Sequence, residues 1–360
     1  MTKEMLINLV VAVALLASSA MDAVPARAGE AEVTLTEVAT SSRQWTGVAV
    51  SNSGRVFVNF PRWSPDVPVS VGELNKDGQA EAYPSLDLNR WKSGDDPDKS
   101  FVCVQSVYVD GKDRLWILDP ANPMFGGVIE GGAKLMRVDL ERDSVKTVYG
   151  FDAEIAPQAS YLNDVRVDTK TETAYITDSG LGAIVVLDLK TGKARRLLDD
   201  HPSTGAENIQ ITIDKNPFPI VVHSDGIALD SAGGWLYYQA LTGRTLYRVS
   251  TSLLRDLELG QDDLEAAVEK FATSGVSDGL LFAHGGVYVS ALEEGSIKFV
   301  DSNGKVTTVV TDNRIVWPDS FAFGADGSVF FTTSQIHLGP NPPGPYRILK
   351  FPNVTQEQAE

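Results

Sequence analysis

Cysteine occurs once in the 360 residues, at Cys103, and histidine four times. A single thiol excludes an internal disulfide framework, so the chain must be held by its core or by closure of its sheets. Cys103 lies in "FVCVQSVYV", an alternating apolar run, and reads as a buried inert thiol rather than a nucleophile. Positive charge is also scarce: 31 Lys and Arg stand against 48 Asp and Glu, for a net charge of -17. Nucleic acid and anionic membrane surfaces would be repelled by that balance. It suits a small-molecule ligand that is neutral, cationic or metal-bound. The chain has no Cys-x-x-Cys, no His-Glu-x-x-His and no phosphate-cradling glycine loop ahead of a helix. No organic cofactor is expected, and any chemistry must come from elsewhere.

Long apolar runs are confined to the start. Lys3 precedes "LINLVVAVALLASSA", Leu6 to Ala20, and "ARA", Ala26 to Ala28, offers a small-x-small cleavage site. This is signal-peptide anatomy, and the run falls short of the ~20 residues a spanning helix needs. Residues 1–28 are therefore expected to be a leader and residues 29–360 one domain, exported to the periplasm or the extracellular space. No stable membrane insertion is expected after cleavage.

What the chain does have is repetition. "WTGVAVSNSGRVFVNF" from Trp45 can be set beside "VQSVYVDGKDRLWILD" from Val104 and "LNDVRVDTKTETAYITD" from Leu162. "HSDGIALDSAGGWLYYQALTG" from His223, "SDGLLFAHGGVYVSAL" from Ser277 and "PDSFAFGADGSVFFTT" from Pro318 complete the set. Each is a short alternating strand, a polar turn and a second strand rich in Val, Tyr, Trp or Phe, which is a β-hairpin. Six such units, roughly 40 to 60 residues apart, predict an all-β, six-bladed β-propeller. A pair of β-sandwiches would not repeat one hairpin six times. "EVTLTEVA" near the start is placed to pair with "YRILKF" and close the ring. "SLLRDLELGQDDLEAAVEKFAT", Ser252 to Thr273, breaks the pattern: Leu264, Val268 and Phe271 fall at helical spacing, predicting a short helical insertion between blades four and five.

Aligning the hairpins puts one polar residue ahead of each first strand: Thr46, Gln105, Asn163, Asp225, Asp278 and Asp319. A small or short residue follows each: Gly47, Ser106, Asp164, Gly226, Gly279 and Ser320. If the first strands are innermost, the polar side chains converge at one mouth of the central channel. Carboxylates brought that close cannot all stay charged, so either one keeps a proton or a cation sits among them. Asp225 and Asn163 are the candidate ligands of a divalent cation, Ca²⁺ or Mg²⁺, for which an oxygen-only set is suited. The alternative is that each Asp merely caps a turn. His223, two residues before Asp225, and Asp225 itself are the candidate catalytic pair, a proton passing between imidazole and carboxylate. Gln105, Asp278 and Asp319, with Tyr161 and Trp317 as stacking platforms, are candidate ligand-binding residues.

At these residues the chain resembles the Yellow and major royal jelly protein family in its bacterial branch. The resemblance is carried by "TGVAVSNSGRVFVNFPRW", "VQSVYVDGKDRLWILDPA", "YLNDVRVDTKTETAYITDSG", "HSDGIALD" and "WPDSFAFGADGSVFFTTSQIH" in that order. It implies a secreted six-bladed propeller. For function it implies a small polar cyclic or aromatic ligand at the channel mouth, bound alone or also tautomerised, as in relatives associated with dopachrome conversion. A wider resemblance is to the gluconolactonase and senescence marker protein group, which holds a divalent cation for lactone hydrolysis with a Glu, an Asn and an Asp at blade starts. Asn163 and Asp225 match the Asn and Asp; Thr46 stands where the Glu is expected, leaving Asp278 or Asp319 to compensate.

Overall fold

The hairpins grow into six four-stranded antiparallel sheets, in a computed structural model that describes residues 33–352. The expected leader, residues 1–28, lies outside the described residues. The strands that open the sheets are Val48–Val50, Ser106–Val109, Leu162–Asp168, Ser224–Leu229, Leu280–Ala283 and Pro318–Phe323. Each packs against the next and the last against the first, so they form the inner ring of a six-bladed β-propeller.

Blades adhere through apolar faces that period-two alternation turns toward their neighbours. Trp116 and Leu118 of blade two pack with Leu162, Val165, Ile176 and Val185 of blade three. Ala228, Tyr237 and Leu246 of blade four do the same with Leu280, Val287 and Val289 of blade five. Each fully buried aliphatic contributes about 1.5–3 kcal/mol relative to exposure. The ring closes as expected: Thr36–Ser41 is the outer strand of blade six, antiparallel to Tyr346–Phe351 from Thr36 opposite Lys350 to Ser41 opposite Tyr346. Cys103 is buried and its thiol is pushed up to about 12 by desolvation, which keeps it protonated and inert.

The helical insertion is present as two short helices, Thr251–Arg255 and Gln261–Ala266, but inside blade four, between its third and outer strands, and not between blades four and five. They lie ahead of the outer strand of blade four, Glu269–Thr273, which pairs with Thr245–Ser250. The expected single helical face therefore divides. Leu264 and Val268 pack on the blade-four side facing blade three, whereas Phe271 joins the cluster shared with blade five. An open sheet edge offers backbone hydrogen bonds that a third helical turn would have had to forgo. A small hairpin, Ile211–Ile213 with Asn216–Phe218, lies between blades three and four and sets Phe218 edge-on to Trp317, 5.3 Å between centroids.

Candidate functional site

The polar column reaches the axis because the inner strands are kinked there. In blades three, four and six the register slips between Leu162 and Val165, between Ser224 and Ile227, and between Pro318 and Phe321. Each slip is a bulge with one extra residue, which re-aims the side chain at that point. Hydroxyls latch the kinks to neighbouring blades. Thr177 Oγ1 donates to the Asp225 carbonyl at 2.6 Å, and Thr46 Oγ1 donates to the Gln105 carbonyl at 3.2 Å. The small residues that follow are a steric requirement: a Cβ on Gly226 would meet the Asp278 carbonyl oxygen at 2.2 Å, and one on Gly279 the Asp319 carbonyl oxygen at 1.8 Å. Buried carboxylates also fix the approach loops. Asp119 accepts from the amides of Val102 and Cys103, and Asp178 from the amide of Tyr161, at 2.7–2.9 Å.

Tyr161, Gln105, Asn163, Asp225, Asp278 and Trp317 are brought together on one hydrogen-bonded chain, which excludes the other predicted residues, His223 and Asp319. Trp63 Nε1 donates to Tyr161 Oη at 2.6 Å, and Tyr161 Oη donates to Gln105 Oε1 at 3.0 Å. Gln105 Nε2 donates to Asn163 Oδ1 at 3.2 Å, and Asn163 Nδ2 donates to Asp225 Oδ2 at 2.8 Å. The Asp225 and Asp278 carboxyl groups lie within hydrogen-bonding reach of each other, and Trp317 Nε1 donates to Asp278 Oδ2 at 2.7 Å. Donors thus point at the carboxyl pair from both ends.

Burial holds all three channel carboxyls toward the protonated form. Asp225 is pushed well above the ordinary range by desolvation and then by the charges of Asp278, Asp164 and Asp319. Asp319 is pushed well up by desolvation and then by Asp278. Asp278 is raised to about 7 by desolvation, with the Trp317 indole N–H opposing the rise. Two carboxyls in contact share one proton more readily than they ionise together.

Other residues of the site carried no signal in the hairpin alignment. Trp63 and Phe125 come from loops. Phe125 stacks between Trp63 and Tyr161, with centroid distances of 5.7 and 5.3 Å, and is 65% exposed, so an aromatic stack leads from the surface to Gln105. Asp164, aligned with the small residues, is a buried carboxyl that accepts from Ser106 Oγ at 2.8 Å. Arg166, on the inner strand of blade three, reaches past blade four to donate to the Leu280 carbonyl of blade five at 2.7 Å, which bars the channel beneath the carboxyls. His223 stands off the chain: its Nδ1 accepts from the Ala206 amide at 3.1 Å, and its ring lines a separate cleft with His201 and Glu207. A Gly-x-Ser-x-Gly pentad does occur, at Gly275–Gly279, but Ser277 is fully buried against Ser290 and the Gly279 carbonyl, ahead of a strand and without a helix to follow. It is not a nucleophile elbow.

A divalent cation matches the donor chemistry and not the arrangement. The oxygens are of the hard type that Ca²⁺ and Mg²⁺ take. Among the described residues, however, no three His, Cys, Asp or Glu side chains are grouped to hold one ion. Asn163 also gives its amide oxygen to Gln105 and turns N–H toward Asp225. No chemical step is therefore routed through a metal.

Comparison with known proteins agrees with this architecture. Residues 102–322 match the family described as Major royal jelly protein. The chain is similar to a Yellow-related salivary protein of Lutzomyia longipalpis, 29% identical over 176 residues that cover 43% of this chain and 42% of the relative. It is similar to a dopaminechrome tautomerase of Drosophila melanogaster, 25% identical over 167 residues, 42% of this chain and 35% of the relative. The chain thus matches less than half the length of these two relatives. A gluconolactonase from Xanthomonas campestris shares the fold, with a TM-score of 0.57 at 14% identity over 89% of each chain.

Proposed function

The chain belongs to the major royal jelly protein family, and from that premise we propose that it is an exported protein that binds a small cationic or polar aromatic ligand at the acidic channel mouth and isomerises it by proton transfer. The hydrogen-bonded chain ending on the Asp225–Asp278 pair carries this reading. With one proton on two carboxyls, the pair presents a base and an acid side by side. The ionised member takes a proton from a ligand carbon next to a carbonyl; the protonated member gives one to the carbonyl oxygen. The ligand gains and loses one proton, the bond order shifts between them, and no oxidant is consumed. Asn163 and Trp317, each donating to one carboxyl, set which oxygens remain free for the ligand. The Trp63–Phe125–Tyr161 stack supplies a π-face for an aromatic or cationic body. In this scheme Asp225 keeps the catalytic part the sequence suggested, and Asp278 takes the place suggested for His223.

Export is supported by the signal-peptide pattern expected of residues 1–28; among the described residues no helix is long and apolar enough to cross a membrane. The similarity to a protein named dopaminechrome tautomerase supports an aminochrome as the first substrate to try. Loss of the coloured aminochrome would be followed spectrophotometrically. Wild type should turn it over, and Asp225→Asn and Asp278→Asn should each lower kcat by roughly 10² or more. Wild-type rates equal to buffer, with no saturable binding of dopamine, would end the proposal. Binding without turnover would leave the non-enzymatic reading of the same mouth.

A further inference from the structure

The channel has a second mouth, at the far ends of the same inner strands. There a cavity of about 360 Å³ is walled by Val48–Val50, Val109, Leu281–Ala283 and Phe321–Phe323, with Tyr108 and Arg166 reaching into it. Residues from all six blades contribute, Ser231 doing so for blade four, so this is the axial channel and not a surface crevice. Its volume lies in the range of small-molecule sites, which are apolar with a few convergent polar groups.

The floor is a buried guanidinium. Arg166 is 6% exposed. It gives one N–H to its neighbour Val165 at 2.8 Å and one to Leu280 at 2.7 Å. Its nearest carboxylate oxygen, Asp164 Oδ2, forms an ion pair with it at 3.9 Å, beyond hydrogen-bonding distance, while Asp164 Oδ1 accepts from Ser106. A guanidinium has five N–H donors in a planar fork, so donors remain for a ligand. The Tyr108 ring lies under the guanidinium, 5.2 Å from its carbon to the centroid, and holds the fork across the cavity floor. A buried guanidinium whose side-chain hydrogen bonds go only to two carbonyls, at the base of an apolar pocket, selects an anion with an apolar body. A carboxylate matches the fork.

We propose that this second mouth is a binding site for a small aromatic monocarboxylate, its carboxylate on Arg166 and its ring among Val109, Leu281, Phe282 and Phe323. The site is independent of the acidic mouth, and Arg166 separates the two. The acidic mouth takes cations or neutral polar rings; this one takes anions. One propeller therefore carries two axial sites of opposite charge preference.

Calorimetric titration with 3-phenylpropionate tests this, alongside its neutral amide and 3-phenylpropylamine. Saturable binding at one site is expected for the carboxylate, weakened roughly tenfold or more in the amide, the usual weight of a charge-assisted hydrogen bond. The amine should not compete with it. Arg166→Gln should weaken the carboxylate at least tenfold. Because Arg166 also ties blade three to blade five, Ser231→Trp provides a second variant: it sits in an exposed turn at the rim, leaves the core untouched and should occlude the cavity. Absence of saturable binding, equal affinity for the amide, competition by the amine, or unchanged affinity in a folded Ser231→Trp or Arg166→Gln variant would each overturn the proposal.

Discussion

A buried carboxyl whose proton is held more tightly in the folded state makes stability fall as pH rises, and Asp278 allows the size to be worked out. Its folded value is about 7 against an ordinary 3.8. Above 3.8 the unfolded chain has lost that proton and the native state has kept it. Native protein therefore binds more protons throughout the window, and stability declines with increasing pH until the folded carboxyl has also ionised. The gap corresponds to on the order of 4 kcal/mol, of which about 3 kcal/mol falls between pH 5 and 8. Asp225 and Asp319, also raised, act in the same sense. His284, lowered by burial, acts in the opposite sense as it loses its proton, so the comparison must be made against a variant that retains it. Asp278→Asn is that variant: its amide oxygen still accepts from Trp317 and its N–H can donate to Asp225, while the titrating group is gone. Urea unfolding at pH 5 and pH 8 should show wild type losing about 3 kcal/mol or more and Asp278→Asn losing about 3 kcal/mol less than wild type, the slope of Asp225 and Asp319 remaining. A wild type equally stable at both pH values, or a variant keeping the full slope, would refute the placement of these carboxyls in one desolvated cluster.

Gly279→Ala, whose Cβ would sit 1.8 Å from the Asp319 carbonyl oxygen, should prise blades five and six apart and cost about 3 kcal/mol or more, measured as a fall in Tm; a change within a degree would refute the close approach. Lys134 and Asp119, both fully buried and 3.4 Å apart, hold the loop before Gln105; Lys134→Met should destabilise by about 3–5 kcal/mol because it strands a buried carboxylate, and an unchanged urea midpoint would contradict that. Elemental analysis of the purified protein should find no stoichiometric Ca or Mg, and a chelator should leave Tm unchanged; a bound ion would revive cation-dependent lactone hydrolysis.

Much of this was legible in one dimension because the repeat is encoded locally. Period-two apolar strands and Gly- or Asp-bearing turns specify a hairpin wherever they occur, and six hairpins leave few ways to bury every face. The polar column was readable for the same reason: Gln105, Asn163, Asp225 and Asp278 hold equivalent positions, and equivalence around an axis is convergence. Tyr161 and Trp317 were caught by adjacency, but the structure puts both on the chain as buried hydrogen-bond donors, and the Trp317 ring stacks on His337 instead of standing open as a platform. Adjacency failed for His223, whose ring is drawn to the Ala206 amide even though the same bulge follows it as follows Tyr161 and Trp317. Trp63 and Phe125 were invisible because loop paths have no period. Arg166 was hidden by its own regularity: it alternates correctly within its strand, and nothing in the spacing says that a long side chain will cross to Leu280.

The pairing of Thr36 with Lys350 has a consequence for how the chain matures. During vectorial synthesis the strand made first has no partner until the strand made last appears, so five blades can assemble while the sixth waits with a raw edge. Until then the edge is open to intermolecular pairing. Deleting Thr36–Ser41 should therefore leave the five intact blades folded and make the chain aggregation-prone, with the damage confined to the sheet that lost its zip.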